Sequence, residues 1–152
     1  MTYCVGIKVN EGMVFASDRR TNAGLDNFNS YSKMYVHKGI DRNIIILTSG
    51  NLATSQAVFN SITKDLEDDK NGNNLNNLFN LNEIAKYIGR LNVKHSSPDG
   101  INQETIELGS TFIVGGQIKE QESELYLVYP QGNFIKSSEF KPYLVIGEIK
   151  YG

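Results

Sequence analysis

A threonine directly behind the initiator methionine, an aspartate at position 18 and a lysine at position 33 are the residues whose types suit covalent chemistry. Removal of Met1 would leave Thr2 with a hydroxyl and a free α-amine on one residue, a nucleophile with its own base. A free α-amine titrates at about 7.7–8.0, so a useful fraction is neutral near pH 7. A nearby ammonium favours proton loss from both groups. Lys33 would supply that charge, and Asp18 would keep it ionised and in place. Backbone N–H groups at the Ser49-Gly50-Asn51 break would receive a developing oxyanion, since glycine permits close approach. The same types also arise as an ordinary processed N-terminus and a surface ion pair. Residue type alone leaves both readings open.

The elements around these residues follow from periodicity. Residues 2–9 alternate, with Tyr3, Val5, Ile7 and Val9 on one side and Thr2, Cys4, Gly6 and Lys8 on the other. Asn10-Glu11-Gly12 turns the chain into a second strand, Met13 to Ala16, so a hairpin is expected that ends at Ser17-Asp18. A polar loop is expected over 19–27, with Arg19-Arg20 solvated. Strands follow at Ser32–His37 and Asn43–Thr48, the second apolar enough to be covered on both faces. Asn51 is placed to cap a helix bearing Leu52, Ala53, Gln56, Ala57, Phe59 and Ile62 or Thr63. Residues 71–82 are asparagine-rich and read as a partly ordered loop. A second helix then starts near Asn80 or Asn82, with Glu83 at a capping position and an Ile84, Ala85, Ile88, Leu91 stripe. Four strands close the chain: Ser110–Gln117, Leu125–Tyr129, Phe134–Ser137 and Tyr143–Ile146, with Pro130–Asn133 as a turn. Strands, two helices, then strands suit facing antiparallel sheets with a helical pair outside.

Composition narrows the partners. A chain of 152 residues, 39% apolar and 21% charged, suits one domain over residues 1–152. A net charge of -2 gives no ground for a nucleic-acid partner, and no apolar run reaches the length of a membrane span. One cysteine, Cys4, excludes an intrachain disulfide and fits a reducing cytoplasm; it reads as a small buried residue. His37 and His95 lack partners at catalytic spacing and read as surface or edge residues. With no zinc-like spacing, and an acidic run at Asp65–Asp69 that lacks a calcium loop's spacing and turn glycine, neither metal nor cofactor is expected. The tyrosines at 126, 129, 143 and 151 are assigned to strand packing and subunit contacts.

The blocks Thr2-Tyr3-Cys4-Val5-Gly6 and Ser17-Asp18-Arg19-Arg20-Thr21-Asn22-Ala23-Gly24 resemble the proteasome-type N-terminal nucleophile hydrolases, and among them the bacterial Anbu branch. Thr48 to Thr54 and Ile146 to Gly152 carry the same likeness. The resemblance implies an α+β fold, the four-layer αββα sandwich of two facing antiparallel sheets between helices. It implies Thr2 as catalytic threonine, Asp18 and Lys33 as its activating pair, and Gly50 as donor of the oxyanion-hole N–H. Asn22, on a strand from Arg20 to Gly24, would lie where the family pairs its backbone with an extended substrate. Glu148 would stand near the threonine, where proteasome subunits usually carry a serine. A peptide or amide substrate and a homo-oligomeric ring, or open helical ring, are implied as well. Family members continue with helices and strands that complete the sandwich, so the domain is expected to lack its C-terminal part. The alternative is a non-catalytic assembly subunit or a fragment of a proteasome-like protein, in which a retained Met1 would block the amine of Thr2.

Overall fold

The computed structural model describes residues 2–22, 28–68, 72–97, 108–148 and 150. Strands β1 (Tyr3–Val9) and β2 (Gly12–Ser17) form the expected hairpin, and β10 (Tyr143–Gly147) pairs with the other edge of β1. A second antiparallel sheet runs in the order β5 (Met34–Lys38), β6 (Arg42–Gly50), β7 (Ser110–Ile118), β8 (Glu124–Val128), β9 (Phe134–Lys136). Between the sheets in sequence lie β3 (Arg20–Asn22) and β4 (Phe28–Ser30), a short ribbon inside the segment expected to be a polar loop. Residues 23–27 of that expected loop lie outside the described residues.

Helices α1 (Leu52–Glu67) and α2 (Leu81–Ser96) begin where local chemistry places them. Asn51 Oδ1 accepts the Thr54 N–H at 3.1 Å, and Asn80 Oδ1 accepts the Glu83 N–H at 2.9 Å, each satisfying an amide with no partner inside the helix. Glu83 reaches back to the Phe79 N–H at 3.0 Å. The asparagine-rich connection is more constrained than its composition suggests. Asn74 Oδ1 accepts the N–H groups of Asn76 and Asn77, while buried Arg42 donates to the carbonyls of Leu75 and Leu78. Residues 69–71, including the end of the acidic run, lie outside the described residues.

Two apolar cores separate three layers. Ile44, Ile46, Phe112, Val114 and Tyr126 of the five-stranded sheet meet Val58, Phe59, Ile62, Ile84 and Ile88 of the helices. Leu47, Ile113 and Leu125 face the opposite way, onto Cys4, Leu144 and Ile146 of the three-stranded sheet. β6 is therefore covered on both faces, as its unbroken apolar run requires. The alternation of β1 turns Cys4 and Gly6 inward and Tyr3, Val5, Ile7 and Val9 outward. Val9, Val14 and Tyr143 are exposed on that outer face, and no helix covers it among the described residues. Two helices and two facing antiparallel sheets thus give the α+β sandwich expected, with three of its four layers among the described residues. Among the described residues no helix is long and apolar enough to cross a membrane.

Candidate active site

The β1–β2 ladder carries Asp18 to a position opposite Tyr3. Cys4 pairs with Ser17, and the next step places the Asp18 N–H on the Tyr3 carbonyl at 3.0 Å. The Asp18 carboxylate then turns back: Oδ1 accepts the Tyr3 N–H at 2.8 Å. That N–H belongs to the peptide joining Thr2 to Tyr3, so the carboxylate sits beside the backbone of Thr2. Oδ2 takes the Lys33 ammonium at 2.7 Å. Lys33 is 5% exposed, an uncommon place for a lysine and one that requires such a partner. It stands one residue ahead of β5 rather than within it, and its carbonyl accepts the Thr48 N–H at 2.9 Å.

Gly50 reaches the same end of the molecule as the last residue of β6, opposite Ser110. Its φ of 115° would strain any side chain, and the Gly109 carbonyl oxygen, 3.1 Å from where a Cβ would stand, would have to give way. The N–H and C=O of Ser110 are both engaged by the Asn92 side chain, at 3.2 and 2.7 Å, and not by β6. Gly50–Ser110 is thus a pair without mutual hydrogen bonds, and strand alternation directs the Gly50 N–H away from β7. The Thr48 N–H two residues earlier points that way too, onto the carbonyl of Lys33.

The other expected site residues are placed less directly. The Glu148 N–H donates to the Thr2 carbonyl at 2.7 Å, while its side chain is exposed. Asn22 ends β3, opposite Phe28, and its side chain lies outside the described residues, as does Met1. Among the described residues no cluster of His, Cys, Asp or Glu suits a metal ion. His37 lies on the edge strand and meets Asn76 at 2.8 Å; His95 bridges the helices to Ser61 at 2.8 Å. Burial, with Lys94 beside it, holds His95 below its ordinary pKa.

Cys4 is buried between the sheets, with Sγ 3.5 Å from the Thr48 carbonyl. Burial, reinforced by the Asp18 carboxylate and opposed by Lys33, pushes its thiol up to about 12. It is a packing residue and not a nucleophile. In the native state Cys4 should resist iodoacetamide at pH 8 and label only when denaturant opens the sheets. From about pH 9 upward the unfolded chain loses the thiol proton and the folded chain keeps it, so stability falls as pH rises. Cys4→Ala should flatten that slope between pH 9 and 10 in urea titrations; an equally steep slope would show that another group carries it.

A buried polar cluster went unseen in the sequence. Thr48, Ser55, Ser110 and Asn92 are all nearly or wholly buried behind Gly50. Asn92 was the visible signal: it falls four residues after Ile88 on the apolar stripe of α2, where a polar residue needs a buried partner.

A carboxylate–ammonium pair at the backbone of the second residue, in a sandwich of facing sheets, describes an N-terminal nucleophile fold. The proteasome subunit family matches residues 2–151, and the chain belongs to that family. Anbu, the ancestral β-subunit, from Yersinia bercovieri superposes with a TM-score of 0.89 at 33% identity, over 98% of this chain and 62% of that one. The helical assembly of the Anbu complex from Pseudomonas aeruginosa gives 0.88 at 36% identity, over 98% and 62%. Proteasome subunit beta 1 of Saccharolobus islandicus is 33% identical over 93 residues, 61% of this chain and 36% of that protein. The chain therefore spans about a third of this curated relative and under two thirds of these Anbu chains.

Proposed function

We propose that this chain carries the nucleophile of a threonine-type amide hydrolase that acts on peptides within a cytoplasmic homo-oligomer. One observation carries the reading: the Asp18 carboxylate binds the buried Lys33 ammonium at 2.7 Å and the N–H of the Thr2–Tyr3 peptide at 2.8 Å. That arrangement keeps a positive charge beside the N-terminal residue once Met1 is removed. The Lys33 charge favours the alkoxide form of Thr2 and the neutral form of its amine. The amine takes the hydroxyl proton as Oγ attacks a substrate carbonyl, and the Gly50 N–H stabilises the resulting oxyanion. Collapse breaks the C–N bond, the proton passes to the leaving amine, and an ester remains on Thr2. Water, losing its proton to the amine of Thr2, hydrolyses that ester and restores the hydroxyl.

β3 has a single partner strand among the described residues, so its other edge suits backbone pairing with an extended substrate beyond Asn22. The exposed Glu148 side chain would meet substrate or solvent near the nucleophile. The apolar outer face of the three-stranded sheet would take a further layer from additional chain of the kind the longer relatives carry. Likeness to a protein solved as a helical assembly supports the oligomer.

The experiment is a comparison of wild type and Thr2→Ala, with the N-terminus of each read by intact mass. Wild type should begin at Thr2 and cleave members of a fluorogenic peptide panel; Thr2→Ala should lose at least about a thousandfold, the scale of losing the nucleophile. A retained Met1, or equal cleavage by Thr2→Ala, would leave the assembly-subunit reading.

A further inference from the structure

β6 passes into α1 through a single cap residue: Gly50 ends the strand and Asn51 caps the helix. The carbonyl of Asn51 is caught in that junction and accepts from three donors, Ser55 N–H at 3.0 Å, Ser55 Oγ at 3.0 Å and Ser110 Oγ at 2.8 Å. The Ser55 hydroxyl also meets Thr48 Oγ1 at 2.7 Å and Ser110 Oγ at 2.9 Å. Three hydroxyl protons thus serve four contacts among Thr48, Ser55, Ser110 and Asn51. A buried cluster so short of protons has few alternative arrangements and is correspondingly rigid.

Ser110 is the member that ties this junction to the rest of the molecule. β8 faces Phe112 with Val128, so continued pairing would bring Pro130 opposite Ser110, and proline has no N–H to give. Asn92 of α2 fills the role. Its amide accepts from the Ser110 N–H, donates to the Ser110 carbonyl, and also reaches the carbonyls of Tyr129 and Pro130 at 3.2 and 3.4 Å. Asn92 and Ser110 are both fully buried. Alternation along β6 points the Gly50 N–H toward the Lys33 side, and the grip holds Ser110, the residue opposite it, in place. The Ser110 hydroxyl then pins the carbonyl on the far side of Gly50. The backbone that follows the glycine is held by this serine.

We propose that Ser110, clamped by Asn92, is a positioning residue for the oxyanion: it fixes the direction of the Gly50 N–H without touching substrate. The inference rests on the hydrolase reading above.

The test uses the full-length protein with two probes. A peptide amide bearing a fluorogenic leaving group forms an oxyanion during cleavage. A peptide vinyl sulfone alkylates the same nucleophile and forms no tetrahedral oxyanion. Ser110→Ala should lower kcat for the amide tenfold or more, with KM and the alkylation rate each within twofold of wild type. Ser110→Thr, which returns the hydroxyl, should recover most of the loss. If Ser110→Ala does not fold, Ser55→Ala removes a different donor from the Asn51 carbonyl, leaves the Asn92 grip intact, and should give the same split. Unchanged kcat, or amide cleavage and alkylation falling together, would overturn the proposal and leave the hydrolase reading standing. Wild type inert to both probes would sink the hydrolase reading, and this inference with it.

Discussion

Lys33→Met will reduce peptide cleavage by about a hundredfold to ten-thousandfold while the protein remains folded. Methionine keeps most of the length and apolar stem of the lysine and removes only the charge. The ammonium it deletes is buried and lies 2.7 Å from Asp18, which itself holds the Tyr3 N–H beside Thr2. Breaking a fully buried pair costs about 3–5 kcal/mol. The Asp18 side chain is 32% exposed, so water relieves part of that, and about 1–3 kcal/mol is expected. Asp18→Asn should also lose activity, since its amide oxygen can still accept from Tyr3 but no longer balances the buried ammonium. Steady-state rates beside urea melts separate the effects. Turnover within threefold of wild type for Lys33→Met would mean that the pair is structural and that the amine of Thr2 needs no help.

Gly147→Ala will be the most destabilising single methyl in the three-stranded sheet. Gly147 closes β10 opposite Tyr3 with φ at 97°, and an added Cβ would stand 1.9 Å from the Thr2 carbonyl oxygen. That carbonyl also receives the Glu148 N–H, so it cannot move aside without losing a bond. Left-handed strain alone costs about 1–2 kcal/mol, and the overlap should bring the total to about 3 kcal/mol or more. Gly12→Ala is the control: its φ of 155° is also unfavourable, but nothing lies within 4 Å of the added atom. The urea midpoint should fall much further for Gly147→Ala. Equal shifts would show that close approach to Thr2 is not what this glycine serves. Because the clash falls on Thr2 itself, any folded Gly147→Ala protein should also cleave peptides poorly.

Much of this chain is written in local patterns. The helix starts follow from Asn51 and Asn80, whose side chains satisfy the first free amides whatever packs around them. The run through Ile44, Ile45 and Ile46 announces a strand between two cores, because no half-exposed strand would carry it. Thr2, Asp18 and Lys33 could be singled out as a candidate set because they offer a hydroxyl, a carboxylate and an ammonium, and the resemblance of the blocks around them implied their roles. Misreadings arose where distant partners decide. By composition Arg20 to Asn22 looks like loop, because it is short and its strand partner, Phe28 to Ser30, is just as short. The asparagine-rich segment looks loose because the arginine that binds its carbonyls is more than thirty residues away.

Residue types and periodicity were enough to raise Thr2 as a candidate and to give most of the elements in order, since those depend on bonds and hydrogen bonds within a few residues. They did not reveal that the apolar side of β1 faces outward, that Asp18 binds the amide beside Thr2 as well as Lys33, or that Asn92 and Ser110 brace the turn at Gly50. Each of these joins residues far apart in sequence, and in each the decisive quantity is a distance of about 3 Å set by how sheets and helices stack. A chain can encode a serine at position 110, but only packing decides which carbonyl its hydroxyl meets.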